Sequence, residues 1–134
     1  MLLPVDGSSF SERAGEHGIY LAKKLEAELI AVHVIKVGTT KKLESENIEK
    51  VKLKQANICF SSLKDKAAQA SVEIETKIIV SRNIANAVLE EAKDGDYDLI
   101  VMGSHGLSGL KKLVLGSITE EILKKSTMPV LIVR

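Results

Sequence analysis

Tryptophan is absent from the 134-residue chain, aromatic residues make up 3% of it, and there is one cysteine, Cys59. With so few aromatics, the core has to be built from aliphatic side chains. A lone cysteine excludes an internal disulfide framework and any multi-cysteine zinc site. Nineteen Lys and Arg against eighteen Asp and Glu leave a formal charge of +1, too small for the polyelectrolyte attraction that draws proteins to nucleic acid. No apolar run reaches the roughly 18 residues needed to span a bilayer. The opening MLLPVDGSS meets an aspartate and two serines too early for a signal peptide. The expectation is a cytoplasmic protein with one domain, residues 1–134, of α/β or α+β class. It is long enough to bury a core without disulfides or a structural metal.

What is present is an alternation of apolar runs and amphipathic stretches. Leu2–Val5 is a short apolar strand cut off by the turn cluster Asp6-Gly7-Ser8-Ser9. Ser9 and Glu12 have capping-box spacing, and Ala14, Ile19, Ala22 and Leu25 then recur at helical period to about Ala27. Gly15 and Gly18 each weaken that helix by roughly 1 kcal/mol relative to alanine. Leu29–Ile35 is nearly continuous and β-branched, the signature of a strand buried on both faces. From about Glu44 to Ala70, Ile48, Val51, Leu53, Ala56, Cys59, Phe60, Leu63 and Ala67 predict one long amphipathic helix, with Cys59 as a small buried thiol. Its Lys/Glu-rich face, Lys41 to Lys66, reads as solvated surface. Val72–Val80 predicts a strand, Asn83–Lys93 a short helix, Leu99–Met102 a strand, Ser117–Lys125 a helix and Pro129–Val133 a last strand. The order β-α-β-α-β-α-β-α-β implies right-handed crossovers and an open parallel sheet with helices on both faces. Ligands of such sheets bind beyond the carboxyl ends of the strands, where strand order reverses.

The stretch from Gly103 to Ser117 is the most informative. It is neither a Walker loop nor a dinucleotide fingerprint. Glycines at 103, 106, 109 and 116 permit close backbone approach to an anion, amide groups can form a concave nest, and Gly116-Ser117 opens a helix whose free N–H groups favour negative charge. Ser117 and Glu120 also have capping-box spacing, so Ser117 reads equally as the cap of its own helix.

Gly103, Gly106, Gly116 and Ser117 reproduce in full the Gly-x2-Gly-x9-Gly-(Ser/Thr) pattern of nucleotide-binding universal stress proteins, and the chain resembles that family throughout. Leu-Leu-Pro-Val-Asp6, His33-Val34 and the closing Met-Pro129-Val-Leu-Ile-Val-Arg match as well. The resemblance implies a five-stranded parallel sheet in the order 3-2-1-4-5, a three-layer Rossmann-like sandwich. It implies ATP, or AMP or ADP, at the switch between strands one and four, with magnesium or manganese as companion to the phosphates. The contacts it implies are Pro4, Val5, Asp6, Val34, Met102, Gly103, Ser104, His105, Gly106, Gly116, Ser117 and Ile118. Asp6 would lie near ribose or adenine, the Val34 backbone would meet the adenine edge, and the glycines with Ser117 would line ribose and phosphates. It also implies a homodimer through the C-terminal strand Val130–Val133, whose edge would otherwise be unpaired.

Two places depart from the family. The chain begins almost inside its first strand, and Arg82-Asn83-Ile84 stands where Gly-x-Pro is common. Arg82 is either a phosphate donor or, more simply, a solvated loop residue. His105 is a polar loop residue or a phosphate donor, and His33 a hydrogen-bonded residue of core or pocket edge. Lys111 and Lys112 are close enough in sequence to reach phosphates. Three functional classes follow: a nucleotide-binding stress-response module, a slow ATPase using Asp6 as base, and an interaction dimer with an empty pocket. The intact glycine motif favours the first. No clear general base or arginine finger supports the second.

Overall fold

The computed structural model describes residues 1–38, 46–107 and 115–134. Strands β1 (Leu2–Pro4), β2 (Leu29–Lys36), β3 (Ile74–Ser81), β4 (Ile100–Gly103) and β5 (Val130–Val133) alternate with helices α1 (Ser9–Leu25), α2 (Glu46–Gln69), α3 (Ile84–Asp94) and α4 (Ser117–Lys125). The five strands form one sheet in the order β3-β2-β1-β4-β5, and every pair is parallel. This is the topology that the resemblance implies. β1 has β2 on one side, with Leu2 opposite Ile30, and β4 on the other, with Leu2 opposite Ile100. Strand order therefore reverses between β1 and β4. No helix among the described residues is long and apolar enough to cross a membrane.

Strand side chains alternate between faces, so a continuous apolar run supplies two cores at once. Leu3, Ala31, Val101 and Val133 pack with Ala14, Ile19, Phe60 and Leu63 under α1 and α2. Leu2, Val32, Ile100 and Met102 pack with Val88, Ala92 and Ile122 under α3 and α4. Leu2 and Leu3, adjacent in the chain, are both 0% exposed. Each such burial is worth roughly 1.5–3 kcal/mol relative to exposure. That is why a three-residue strand can hold the centre of the sheet.

Some local expectations change. α1 is capped by Ser8, whose hydroxyl accepts from Ser11 N–H at 3.1 Å, and not by Ser9. Asp6 Oδ1 accepts from Ser8 N–H at 2.9 Å across Gly7, which stands at φ +82°, so the turn finishes one residue early. α1 runs unbroken through Gly15, where an added Cβ would come within 2.7 Å of Leu63 Cδ1. The α1–α2 contact thus uses that glycine for closeness. In α2, Ala56, Phe60, Leu63 and Ala67 form the buried seam, whereas Val51, Leu53 and Ile58 are exposed. Ile58 is two residues from both Ala56 and Phe60, about 200° round the helix, so it points away from the sheet. Cys59, beside the seam, is partly exposed and not the buried thiol expected. The expected start of this helix at Glu44, the stretch Thr39–Thr40 of the preceding loop, and the beginning of the charged face at Lys41 lie outside the described residues.

One polar cluster ties β3, α3 and the approach to β4. Glu91 accepts from Lys77 Nζ at 2.6 Å and from Tyr97 Oη at 2.8 Å. Burial acts to raise the Glu91 pKa, but the Lys77 and Tyr97 hydrogen bonds outweigh it and hold the carboxyl below its usual range. Burial, then the hydrogen bond to Glu91, pushes the Tyr97 hydroxyl up to about 12. A folded-state pKa above the unfolded value contributes stability that is complete below the unfolded pKa and is lost as pH rises through the folded one. Absorbance titration in alkali should therefore show Tyr97 ionising near pH 12, and unfolding should become easier between about 10 and 12. Glu91→Gln should move that titration down; an unchanged Tyr97 curve would refute the coupling.

Candidate functional site

β1, β2 and β4 all end on one side of the sheet, and their following residues meet there. Asp6, one residue beyond Val5, is the junction. Its Oδ1 holds Ser8 N–H, and its Oδ2 accepts from Leu107 N–H at 3.1 Å, 101 residues along the chain. The carboxylate thereby ties the turn before α1 to the glycine-rich loop after β4. Gly106 makes this possible: a Cβ there would fall 2.6 Å from Asp6 Oδ2.

The loop is held from below as well. Ser104 N–H donates to Val133 O at 2.8 Å, and Gly116 N–H donates to Ser104 O at 2.9 Å, bringing the start of α4 back against β4. Thr119 Oγ1 donates to Gly103 O at 3.1 Å and fixes the first turn of α4 in the same place. An added Cβ on Gly103 would lie 2.7 Å from the Phe10 carbonyl carbon, so this glycine admits the backbone of α1. One on Gly116 would lie 3.3 Å from His105 Cα. Gly116 is itself the N-cap of α4 and makes no side-chain capping bond, with Ser117 as the first helical residue. The reading of Ser117 as a cap is thus corrected. The first amide groups of α4 are left without a side-chain acceptor, and with the helix dipole they form a ready anion site.

Between these elements lies a cavity of ≈ 600 Å³, lined by Asp6, His33, Val34, Lys36, His105, Gly106, Gly116, Ser117 and Ile118 among others. Beneath it a smaller space of ≈ 100 Å³ reaches Pro4, Val5, Met102 and Gly103. The residues expected from the resemblance therefore converge on one place, except that Ser104 lines neither space. Ser104 is buried under the loop, where its hydroxyl meets His105 Nδ1 at 3.0 Å. His105, 8% exposed, packs against Phe10 with ring centroids 4.9 Å apart and planes tilted by 43°, and its Nε2 has no partner. His33 lines the main cavity with Nδ1 unpartnered. Burial lowers its pKa, against the opposing influence of the Val5 backbone and the Asp6 carboxylate, so the ring is neutral near pH 7. Two buried imidazole nitrogens lacking partners fit a site that takes a polar ligand.

Arg82 is exposed and does not line the cavity; Ile84, two residues on, does. Lys111 and Lys112 lie outside the described residues, as does Gly109. Sequence reasoning missed Thr119, Ile84, Gln55 and Lys52, all of which line the cavity. The spacing of Lys52 and Gln55 on α2 was the available signal, since i and i+3 share a helix face. Among the described residues, no group of three or more His, Cys, Asp or Glu is placed to hold a metal ion.

Residues 1–134 match the profile of the Universal stress protein family. Universal stress protein YxiE of Bacillus subtilis (strain 168) is 37% identical over 145 residues, covering 100% of this chain and 97% of its own. Universal stress protein MJ0531 of Methanocaldococcus jannaschii is 33% identical over 138 residues, covering 100% and 81%. Among solved structures, hypothetical protein MJ0577, from the same archaeon, is 34% identical with a TM-score of 0.81, covering 98% of this chain and 92% of that one. A universal stress protein in complex with cAMP is 25% identical with a TM-score of 0.77, covering 99% and 94%.

Asp6→Ala removes acceptors from two amide groups at once. It should lower stability by about 1–3 kcal/mol, as expected for hydrogen bonds to a partly buried charge, and should speed hydrogen exchange at Ser8 and Leu107. Unchanged exchange at Leu107 would show that the loop is held by other contacts.

Proposed function

The chain belongs to the universal stress protein family, and from that premise we propose that it is a regulatory module that binds an adenine nucleotide and acts in the stress response as a homodimer. The observation that carries the reading is the cavity at the β1/β4 switch, where the Asp6-tied glycine loop faces a helix N-terminus with no side-chain cap. The family relative that holds cAMP supports the choice of an adenine nucleotide.

In this reading the Val34 backbone, two residues before the end of β2, meets the adenine edge, and Asp6 faces the ribose. Gly106, Gly116, Ser117 and Ile118 take the phosphates, where the first amide groups of α4 and its dipole favour negative charge. Pro4, Val5, Met102 and Gly103 form the apolar floor beneath. Ser104 holds the loop in shape from behind through its hydroxyl and His105 Nδ1, while His105 lines the cavity with Nε2 open to the ligand. ATP, ADP and AMP all satisfy this arrangement. Magnesium or manganese would arrive on the phosphates and be held chiefly by them, Asp6 being the carboxylate among the described residues that line the cavity. Both Asp6 oxygens already accept amide hydrogens, which makes Asp6 a poor general base and favours binding over hydrolysis.

The dimer reading rests on β5. It lies at one end of the sheet order, pairs among the described residues with β4 alone, and leaves Leu131 37% exposed. An isologous pairing of this strand with its own copy would satisfy the free edge.

Chromatography of what the purified chain releases on denaturation should give an adenine nucleotide near one per chain. Gly106→Val should abolish that binding while the thermal transition stays cooperative, because the side chain would displace Asp6 Oδ2. A variant that binds as the parent does would remove the glycine argument. Leu131→Asp should convert dimers to monomers in sedimentation velocity, and a persistent dimer would put the interface elsewhere.

A further inference from the structure

A second opening adjoins the nucleotide cavity. It is a groove of ≈ 250 Å³ between α1 and α2, with Gly7 and Glu12 on one side and Ile58, Ser62 and Leu63 on the other. Asp6, Gln55 and Leu107 line both the groove and the main cavity, so the two meet along the Asp6–Leu107 bridge. A ligand seated at the switch can extend across that bridge without leaving the protein surface.

The groove's chemistry narrows what would extend there. Leu107 and Ile58 are 77% and 59% exposed, so the described fold leaves their aliphatic surface uncovered beside the opening. Gln55 and Ser62 set an amide and a hydroxyl next to that surface. An acyl chain would strip water from these polar groups and return no hydrogen bonds. A further phosphate would meet the Glu12 carboxylate, and Lys66, the lysine lining the groove, is engaged by Glu16 at 2.7 Å. A flat heterocycle suits both features, since its faces are apolar and its edge carries donors and acceptors. Glutamine is also well matched to a purine, whose edge can take both atoms of the amide.

We infer that the α1–α2 groove is a second nucleoside subsite, so that the favoured ligand is a phosphate-bridged dinucleoside whose first nucleotide occupies the cavity at the switch. This rests on the nucleotide reading above. Once the first nucleotide is bound, the second nucleoside is held near the groove at high effective concentration, and its contacts add affinity without a second bimolecular step.

The test is calorimetric titration of the full chain, first stripped of any nucleotide it carries through purification, with diadenosine tetraphosphate and, separately, with ATP. The dinucleotide should bind about tenfold or more tightly than ATP. Ser62→Trp, at an exposed helix position away from the core, should fill the groove, leave ATP affinity unchanged and bring the dinucleotide down to the ATP value. Ile58→Ala removes part of the aliphatic surface without adding bulk, and should narrow the difference in the same direction. It serves if the tryptophan variant does not fold. A dinucleotide no tighter than ATP on the parent chain, or variants that weaken both ligands equally, would overturn the subsite and leave the nucleotide reading standing. If neither ligand binds the parent chain, the nucleotide reading falls and the subsite falls with it.

Discussion

Asp6 holds two amide groups that belong to different halves of the chain, Ser8 at the start of α1 and Leu107 in the loop after β4. The candidate site depends on that carboxylate. One oxygen sets where α1 begins, and the other sets how closely the glycine loop approaches β1. Around it the fold supplies rigid supports: β1 buried on both faces, β4 fixed to β5, and α4 drawn back by Gly116 and Thr119. Ser8 Oγ, which donates to His105 O at 3.4 Å, and the contact of Phe10 with His105 also join α1 to the loop, but the Asp6 carboxylate is the group that holds a backbone amide on each side.

The glycines of the motif do different physical work. Gly103 lets the backbone of α1 lie against the end of β4, and Gly106 leaves room for the Asp6 oxygen. Gly116 begins a helix without a side chain that would occupy its first amide groups. The last of these leaves a helix N-terminus without a side-chain cap. The other two act by bringing protein backbone and side chain together, which fixes the shape of the cavity that an anion would enter. Close approach is the common requirement, and glycine meets it wherever the neighbour is a backbone or a carboxylate.

The site also carries polar groups that the fold itself does not satisfy. His33 Nδ1 and His105 Nε2 are buried without partners, and an unsatisfied buried group is worth about 1–3 kcal/mol of lost stability. By contrast, Glu91 of α3 accepts from both Lys77 and Tyr97, a pairing that serves the fold. A third unpartnered buried atom, Arg13 Nε on α1, lies outside the cavity lining, where the guanidinium sits over the Phe10 ring at 4.7 Å.

The alternation of β-branched runs with amphipathic stretches was enough to specify a parallel α/β sheet, because a strand buried on both faces and a helix buried on one leave different periods in the chain. The Gly-x2-Gly-x9-Gly-Ser spacing was likewise legible, since close backbone approach demands glycine whatever surrounds it. The strand order came from family resemblance, as periodicity within each element carries no information about its neighbours. Contacts between distant residues decided the rest. Ser8 caps α1 in place of Ser9 because Asp6 turns the chain early, and Gly116 caps α4 because its amide reaches Ser104. Ile58 and Cys59 come to the surface because the sheet accepts only the Ala56–Phe60–Leu63–Ala67 stripe. Local spacing determines which elements form. Which neighbour fills each gap is settled only when the elements pack, since the partners lie as much as 101 residues apart.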